Sequence, residues 1–394
     1  MHIFLSVGEP SGDQHGAALM RALRRRHPHA RFSGFGGPLM EDAGLQSLHR
    51  LTDLAVMGVL AVLPLLWTFF KLVRQAGRFI ESERPDAVVL IDFPGFNWWI
   101  ARKAKRAGVP VFYYMPPQLW AWAPWRIRKV HKFVDHVLAA LPFEADWYAQ
   151  RGVSVECVGH PFFDEVASHP IDDNICTALR ACSRTGDREC VVGFLPGSRN
   201  QEVRRNFPVM LRIARMLHQR HPELRFPIAC YKESHRELCR EMIVLQAPDL
   251  PIDLHVGRTP EIIAASDCCL MVSGSVSLEL LARGTPAVVM YRGSPLTYVL
   301  IKLLVTCRYM TLSNLIAGRA VMPEFPFSGH VFDHSLRMTD ILDGWISEPE
   351  TLAATRQVLI KLRNRVSETG AVERAAESIA NRIGRSSTAT ARAA

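Results

Sequence analysis

Short, unbroken apolar runs recur along this chain, and each gives way to a turn rich in glycine, proline or small polar residues. His2–Val7, Phe32–Phe35, Asp86–Ile91 (DAVVLI), Val109–Tyr114, Val137–Ala140 and Val155–Val158 read as strands, the continuous runs among them as strands covered on both faces. Stretches of helical period separate them. One follows the turn Gly8-Glu9-Pro10-Ser11-Gly12-Asp13, where Ser11 or Asp13 is placed to cap a helix running through Leu23. After Gly159-His160-Pro161 the alternation lapses, and the polar residues 165–188 are expected to form an irregular interdomain linker. The pattern resumes with Cys190–Leu195 (CVVGFL) and continues through strands near Phe226–Tyr231, Ile252–His255, Cys268–Val272 and Ala287–Tyr291. Two such halves predict an α/β protein of two doubly wound domains facing a cleft, residues 1–168 and 187–345. Helical composition from Glu348 to Arg382 predicts C-terminal helices (346–384), and a disordered tail follows at 385–394.

One run breaks the pattern. Leu54 to Phe70 (LAVMGVLAVLPLLWTFF) carries no charge. As a helix it reaches about 25 Å, short of a roughly 30 Å hydrocarbon core, and Pro64 interrupts it. Lys71, Arg74 and Arg78 follow at helical spacing. An apolar segment beside basic residues fits a helix lying in a membrane interface, and it also fits a buried core helix; a spanning helix is excluded.

Composition adds little until charge is counted. The 394 residues suit two domains, and a formal net charge of +9 favours an anionic partner such as a phosphorylated substrate, acidic lipid or nucleic acid. Nine cysteines with no CxxC pair, two of them adjacent at Cys268-Cys269, suggest core residues in a reducing cytosol. The opening MHIFLSVGEP goes straight into strand and turn, so no cleavable leader is expected.

The candidate chemistry lies in the turns. In the stretch Cys268–Tyr291 a strand, the small-residue turn Ser273-Gly274-Ser275 and a helix from Val276 form a parallel βαβ step. Backbone N–H groups and the helix dipole there suit an anion such as a diphosphate, with Glu279 about one turn inside and placed to accept from sugar hydroxyls. An ordinary turn with Glu279 on a solvated face fits the same residues. Pro196-Gly197-Ser198-Arg199 offers backbone donors and a fixed cation for a diphosphate, or an exposed loop arginine. Asp92, at the C-terminal end of the DAVVLI strand, is the leading general-base candidate, with helix capping as its rival. His160 is a site candidate or a packed hinge histidine. Trp120, Trp122 and Trp125 with Arg126, Arg128, Lys129 and Lys132 fit a sugar, a lipid phosphate, RNA or plain packing. No metal-ligand spacing and no DxD-like pair is present, so the charge of a leaving nucleotide diphosphate falls to a helix terminus and an arginine. The glycines do not spell GxGxxG.

Taken together, GEPSGD at 8–13, GFGGPLMEDAG at 34–44, LAVMGVLAVLP at 54–64, IDFPGFN at 91–97, PQLWAW at 117–122, LPFE at 141–144, GHPFFDEV at 159–166, LPGSRNQEV at 195–203, SGSVSLELL at 273–281 and LSNLIAGR at 312–319 resemble the lipid-A-disaccharide synthase family. The resemblance implies a GT-B-type architecture of two Rossmann-like domains. It also implies metal-independent, cofactor-free transfer of 2,3-diacylglucosamine from UDP to 2,3-diacylglucosamine 1-phosphate with inversion. The same resemblance implies a cytoplasmic enzyme peripheral to the inner membrane, docking on anionic lipid through residues 54–78, with no nucleic acid partner. A homodimer with exchanged C-terminal segments is implied too, so the C-terminal helices pack across the domains or onto a partner chain. Residue by residue, Asp92 matches the family's base on the acceptor hydroxyl and Arg199 its essential arginine. Ser273, Gly274, Ser275, Glu279 and Asn314 match its UDP side, Asn314 in its own or a neighbouring chain's site. Ser11, Gly12, Asp13, His160, Ser198, Gly318 and Arg319 join them as substrate- or UDP-binding candidates.

The departures fall mostly in the first half. Ala61 stands where the family usually carries Glu, Gly95 where it carries a second acid, Pro116 where it carries Ser, and Ala123 where it carries Arg; beyond Arg319, MPEFPFSGHVFDH follows it poorly. They suggest a shifted acceptor preference or weakened activity. Another UDP-sugar transferase or an epimerase of the same fold, and a membrane-surface nucleotide or lipid binder without catalysis, are the competing readings.

Overall fold

The computed structural model describes residues 1–54, 65–272, 274–294 and 304–393, with side chains through 384. The chain divides into two compact units, residues 1–164 with 368–394, and residues 165–367.

The first unit is built on a parallel sheet of β1 (His2–Val7), β2 (Arg31–Gly36), β3 (Leu45–Arg50), β4 (Ala87–Ile91), β5 (Val111–Tyr114), β6 (His136–Ala139) and β7 (Val155–Cys157), in the order β3-β2-β1-β4-β5-β6-β7. β1, β4, β5 and β6 are buried along their whole length, as their unbroken apolar runs require. One face packs on helix Pro10–Arg26 through Leu19, Met20 and Leu23; the other packs on helices Leu66–Glu83 and Pro94–Arg106 through Leu72, Ile80, Phe96 and Ile100.

The first face is completed from far along the sequence. Helix Ala371–Ala393 places Val372, Ala375, Ala376 and Ile379, at helical spacing, in the same core as helix Pro10–Arg26. Asp164 accepts the N–H groups of Gly370 (2.5 Å) and Val372 (3.0 Å) at its start, and Glu373 and Glu377 pair with Arg25 and Arg26. The backbone helix continues through 385–393, where composition predicts disorder.

The second unit holds β10 (Val192–Leu195), β11 (Phe226–Cys230), β12 (Ile252–Val256), β13 (Cys268–Val272), β14 (Ala287–Arg292) and β15 (Glu324–Phe327), ordered β12-β11-β10-β13-β14-β15 and parallel throughout. A small antiparallel hairpin of β8 (Arg184–Thr185) and β9 (Arg188–Glu189) precedes it. Residues 165–188 are therefore structured rather than an irregular linker. Asp172 caps helix Asp173–Ala181 by accepting from Asn174 and Ile175 N–H, and Arg180 bonds the carbonyl of Ala265 at 2.7 Å. Of the C-terminal helices, Pro349–Val366 stays with the second unit, where Arg356 bonds the carbonyl of Asp267.

Among the described residues no helix is long and apolar enough to cross a membrane. The apolar run of 54–70 is described only at Leu54 and from 65 onward; Ala61 and Pro64 lie outside the described residues. Leu66, Trp67 and Phe70 are exposed, with Trp67 and Phe70 stacked at 5.6 Å. Lys71 and Arg74 sit 5.9 Å from the Trp67 and Phe70 rings respectively. This part of the run is not a buried core helix.

Candidate active site

Both sheets change winding direction once, between β1 and β4 and between β10 and β13, and ligands of such folds bind beyond the carboxyl ends of the strands at those points. In the first unit the turns that follow are GEPSGD and IDFPGFN; in the second they are PGSR and SGS.

GEPSGD and IDFPGFN touch. A Cβ on Gly8 would lie 2.2 Å from the Phe93 ring, and one on Gly12 would lie 3.5 Å from Asp92 Oδ2, so glycine at both positions lets the loop close on the strand end. Asp92 and Phe93 are both left-handed, with φ of 47° and 42°. Two such residues in succession cost on the order of 1–2 kcal/mol each, though Asp tolerates the region better than most. Hydrogen bonds to the Asp92 carbonyl hold the turn in place, from the Tyr113 hydroxyl (2.7 Å) and the Asn97 amide (2.8 Å). Asn97 also donates to the carbonyls of Ser6 and Ile91 and accepts from the Ser6 hydroxyl at 2.6 Å. The last residue of the IDFPGFN motif thus pins the first two turns together, a role its polarity alone did not reveal.

The Asp92 carboxyl is only partly open to water. Burial, and then the negative charges of Glu9 and Glu144, push its pKa up to about 7. It is therefore divided between acid and base near neutrality, as proton transfer requires. Glu144, from the LPFE motif, is itself pushed up to about 7 by burial, against the opposing bonds from Trp120 Nε1 (3.1 Å) and Ala140 N–H (3.2 Å). Nothing in the LPFE sequence itself marks Glu144 for this buried position near Asp92.

Other residues of the first unit depart from expectation. Helix Pro10–Arg26 has Glu9 at its N-cap, so Ser11 and Asp13 lie within its first turn and do not cap it. Ser11 is exposed. Asp13 is buried and accepts from the N–H groups of Gly37, Leu39 and Met40 at 2.8–3.1 Å, so its carboxylate anchors the GGP turn. His160 packs edge-on to His15 with ring centroids 6.2 Å apart and accepts from the N–H of Phe162. Burial lowers the pair to about 3 and about 4, so both rings are neutral at physiological pH. In the tryptophan cluster, the Arg126 guanidinium lies 4.0 Å from the Trp122 ring, and Trp122 and Trp125 are exposed.

In the second unit, the Gly197 turn has φ 114°, and a Cβ there would lie 2.8 Å from Glu202 Oε2. That carboxylate accepts the N–H groups of Ser198 (3.1 Å) and Arg199 (3.3 Å), and its other oxygen accepts from Arg199 Nη1 at 2.9 Å. The donors expected to face a diphosphate are therefore occupied by Glu202, while the Arg199 side chain remains 59% exposed and able to swing away. Ser273 lies outside the described residues. Gly274 and Ser275 are exposed at the start of helix Val276–Arg283. Glu279 is not on a solvated face: it is buried, and one oxygen accepts both Arg283 Nε and Nη2 at 3.2 Å. Burial raises its pKa and Arg283 opposes this. Its second oxygen has no partner among the described residues.

Asn314 is fully buried. Its amide oxygen accepts from Val321 and Met322 N–H at 2.8 Å each, and its amide nitrogen donates to the Met322 carbonyl (2.7 Å) and Glu324 Oε1 (2.8 Å). With every side-chain hydrogen-bonding position committed, it shapes the loop holding Gly318 (φ 64°) and the exposed Arg319.

A family model described as Lipid-A-disaccharide synthetase matches residues 3–338. The lipid-A-disaccharide synthase of Idiomarina loihiensis is 38% identical over 322 residues, covering 82% of this chain and 84% of that protein. That of Syntrophus aciditrophicus is 35% identical over 376 residues, covering 95% and 96%. Among solved structures, the UDP-GlcNAc 2-epimerase from Neisseria meningitidis bound to UDP-GlcNAc is similar at a TM-score of 0.61 and 12% identity, covering 97% of this chain and 99% of that one. MurG from Acinetobacter baumannii is similar at 0.57 and 14%, covering 96% and 99%. These two likenesses show the fold, the GT-B fold of glycosyltransferases and epimerases. By a family model spanning most of its length and relatives at least a third identical along nearly all of it, the chain belongs to the lipid-A-disaccharide synthase family.

Proposed function

We propose that the protein transfers 2,3-diacylglucosamine from UDP-2,3-diacylglucosamine to the 6-hydroxyl of 2,3-diacylglucosamine 1-phosphate, with inversion at the anomeric carbon. Family membership supports the coarser statement, a UDP-sugar glycosyltransferase of lipid A biosynthesis. The observation that carries the mechanism is Asp92: a partly open carboxyl at a winding switch, with its pKa pushed up to about 7.

In this reading Asp92 takes the proton from the acceptor hydroxyl as that oxygen attacks the anomeric carbon. The bond from carbon to the UDP oxygen breaks, and UDP leaves with its electron pair. The donor half of the reaction falls to the second unit. Its diphosphate meets the start of helix Val276–Arg283 and the Arg199 guanidinium once this is released from Glu202, and the free oxygen of Glu279 meets the ribose. Residues 54–78 dock on anionic membrane, so acyl chains need not enter water, and two copies pair by exchanging C-terminal segments, each helix from Ala371 then taking on the partner's first unit the place it fills on its own. Mass spectrometry of products from purified protein, diacylated donor and lipid acceptor tests the reaction. A disaccharide 1-phosphate with UDP release supports it, whereas an epimerised nucleotide sugar, or UDP binding with no product, defeats it.

A further inference from the structure

Helices Leu66–Glu83 and Pro94–Arg106 pack side by side in the first unit and leave a cavity of about 720 Å³ between them. Leu66, Phe69 and Val73 wall it from one helix, Phe93, Phe96 and Trp99 from the other side. Arg74, Arg102 and Arg106 also line it, are exposed, and make no ion pair with any described residue. Long basic side chains cover apolar surface with their stems and keep their heads in water, which gives an apolar groove a cationic rim. At Gly95 the wall is bare: a Cβ there would meet nothing within 4 Å, and the residue stands where the motif it resembles carries an acid.

We propose that this groove holds one acyl chain of the lipid acceptor, with the arginine heads drawing the lipid's phosphate to the same face. The proposal rests on the transfer reaction given above. Its reasons are position, volume and charge. Phe93 directly follows Asp92 and Gly95 lies three residues on, so a chain in the groove lies beside the proposed base, whereas the donor's phosphates are assigned to the other unit. With a water-sized unit taking about 30 Å³ and a methylene having similar bulk, the space exceeds what one chain of roughly a dozen carbons fills. The unpaired arginines complement a phosphate monoester, which a neutral lipid lacks.

The test is a tryptophan-fluorescence titration, with Trp99 in the wall as reporter, using lysophosphatidates of increasing chain length below self-association and alkyl glucosides of matched length. In the wild type the Kd for lysophosphatidates falls about fourfold per added methylene until the groove is full. The glucosides bind more weakly, and that gap narrows in high salt. Gly95→Phe fills the wall and abolishes the length dependence while binding to phosphatidylglycerol vesicles persists; Gly95→Leu serves if thermal unfolding shows that phenylalanine disturbs the fold. Arg102→Glu removes the preference for phosphate and keeps the length dependence. Length dependence surviving in the filled variant overturns the assignment, and so does its loss together with vesicle binding, which marks general bilayer insertion. Failure to form disaccharide bears on the transfer reaction alone, because these titrations need no turnover.

Discussion

Replacing Asp92 with asparagine should make the protein more stable at alkaline pH while removing its activity. The native state holds the Asp92 proton far more tightly than the unfolded chain does, since its pKa rises from 3.8 to about 7. Ionising the carboxyl therefore costs stability. The cost is absent below about pH 4, grows between pH 4 and 7, and is constant above. The full interval corresponds to roughly 4 kcal/mol, a ceiling that partial contact with water reduces. Asparagine has nearly the same shape, is at ease with the φ of 47° at this position, and never ionises. Urea unfolding followed by tryptophan fluorescence suits the measurement, because every tryptophan except Trp345 lies in the first unit. Asp92→Asn should match the wild type near pH 4 and exceed it by about 1–4 kcal/mol at pH 8.5, with turnover reduced on the order of 10²–10⁴-fold. A stability difference that does not change with pH would refute the argument that a buried charge is being held there, and undiminished turnover would refute the base assignment.

Four further outcomes follow from the geometry. Arg199→Ala should leave thermal stability within about 0.5 kcal/mol, because the side chain is largely exposed, yet lower UDP release on the order of 10²–10³-fold. Asn314→Ala strands the N–H groups of Val321 and Met322 and should cost roughly 2–4 kcal/mol, seen as faster hydrogen exchange at those two amides. Gly8→Ala drives a methyl into the Phe93 ring and should cost about 1–3 kcal/mol with loss of activity. Gly344→Ala, in a helix with nothing near the added carbon, should melt at or slightly above the wild-type temperature.

Strands hidden on both faces announce themselves by unbroken apolar runs, so β1, β4, β5, β10, β13 and β14 were legible from composition alone. β3, with the mixed sequence LQSLHR at a sheet edge, and β15, with proline inside EFPF, carry no such run and were missed. Scaffold bonds to distant partners are the least legible feature. Asp13 and Asn314 are polar residues in glycine-rich motifs, and a sequence offers no way to tell a ligand contact from a scaffold bond whose partner is distant. Asp13 finds its donors at Gly37, Leu39 and Met40; Asn314 finds its partners at Val321, Met322 and Glu324. Glu202 is hidden for the complementary reason: it lies within LPGSRNQEV as an ordinary helix residue, yet it occupies the donors that the PGSR turn presents. The place of Asp92 at the end of β4 is legible because strand-end position is a local property.

The helix from Ala371 that completes the first unit gives biosynthesis a direction. Its capping residue, Asp164, is made early, but Ala371 leaves the ribosome only after the intervening chain, which at 5–20 residues per second takes on the order of 10–40 s. Throughout that interval helix Pro10–Arg26 lacks the cover that Val372, Ala375, Ala376 and Ile379 later supply, while residues 165–367, as they emerge, contain everything needed to form their own sheet. The unit begun first is therefore the one finished last, and a nascent chain stalled before Ala371 should be a ready client for chaperones that recognise exposed apolar surface.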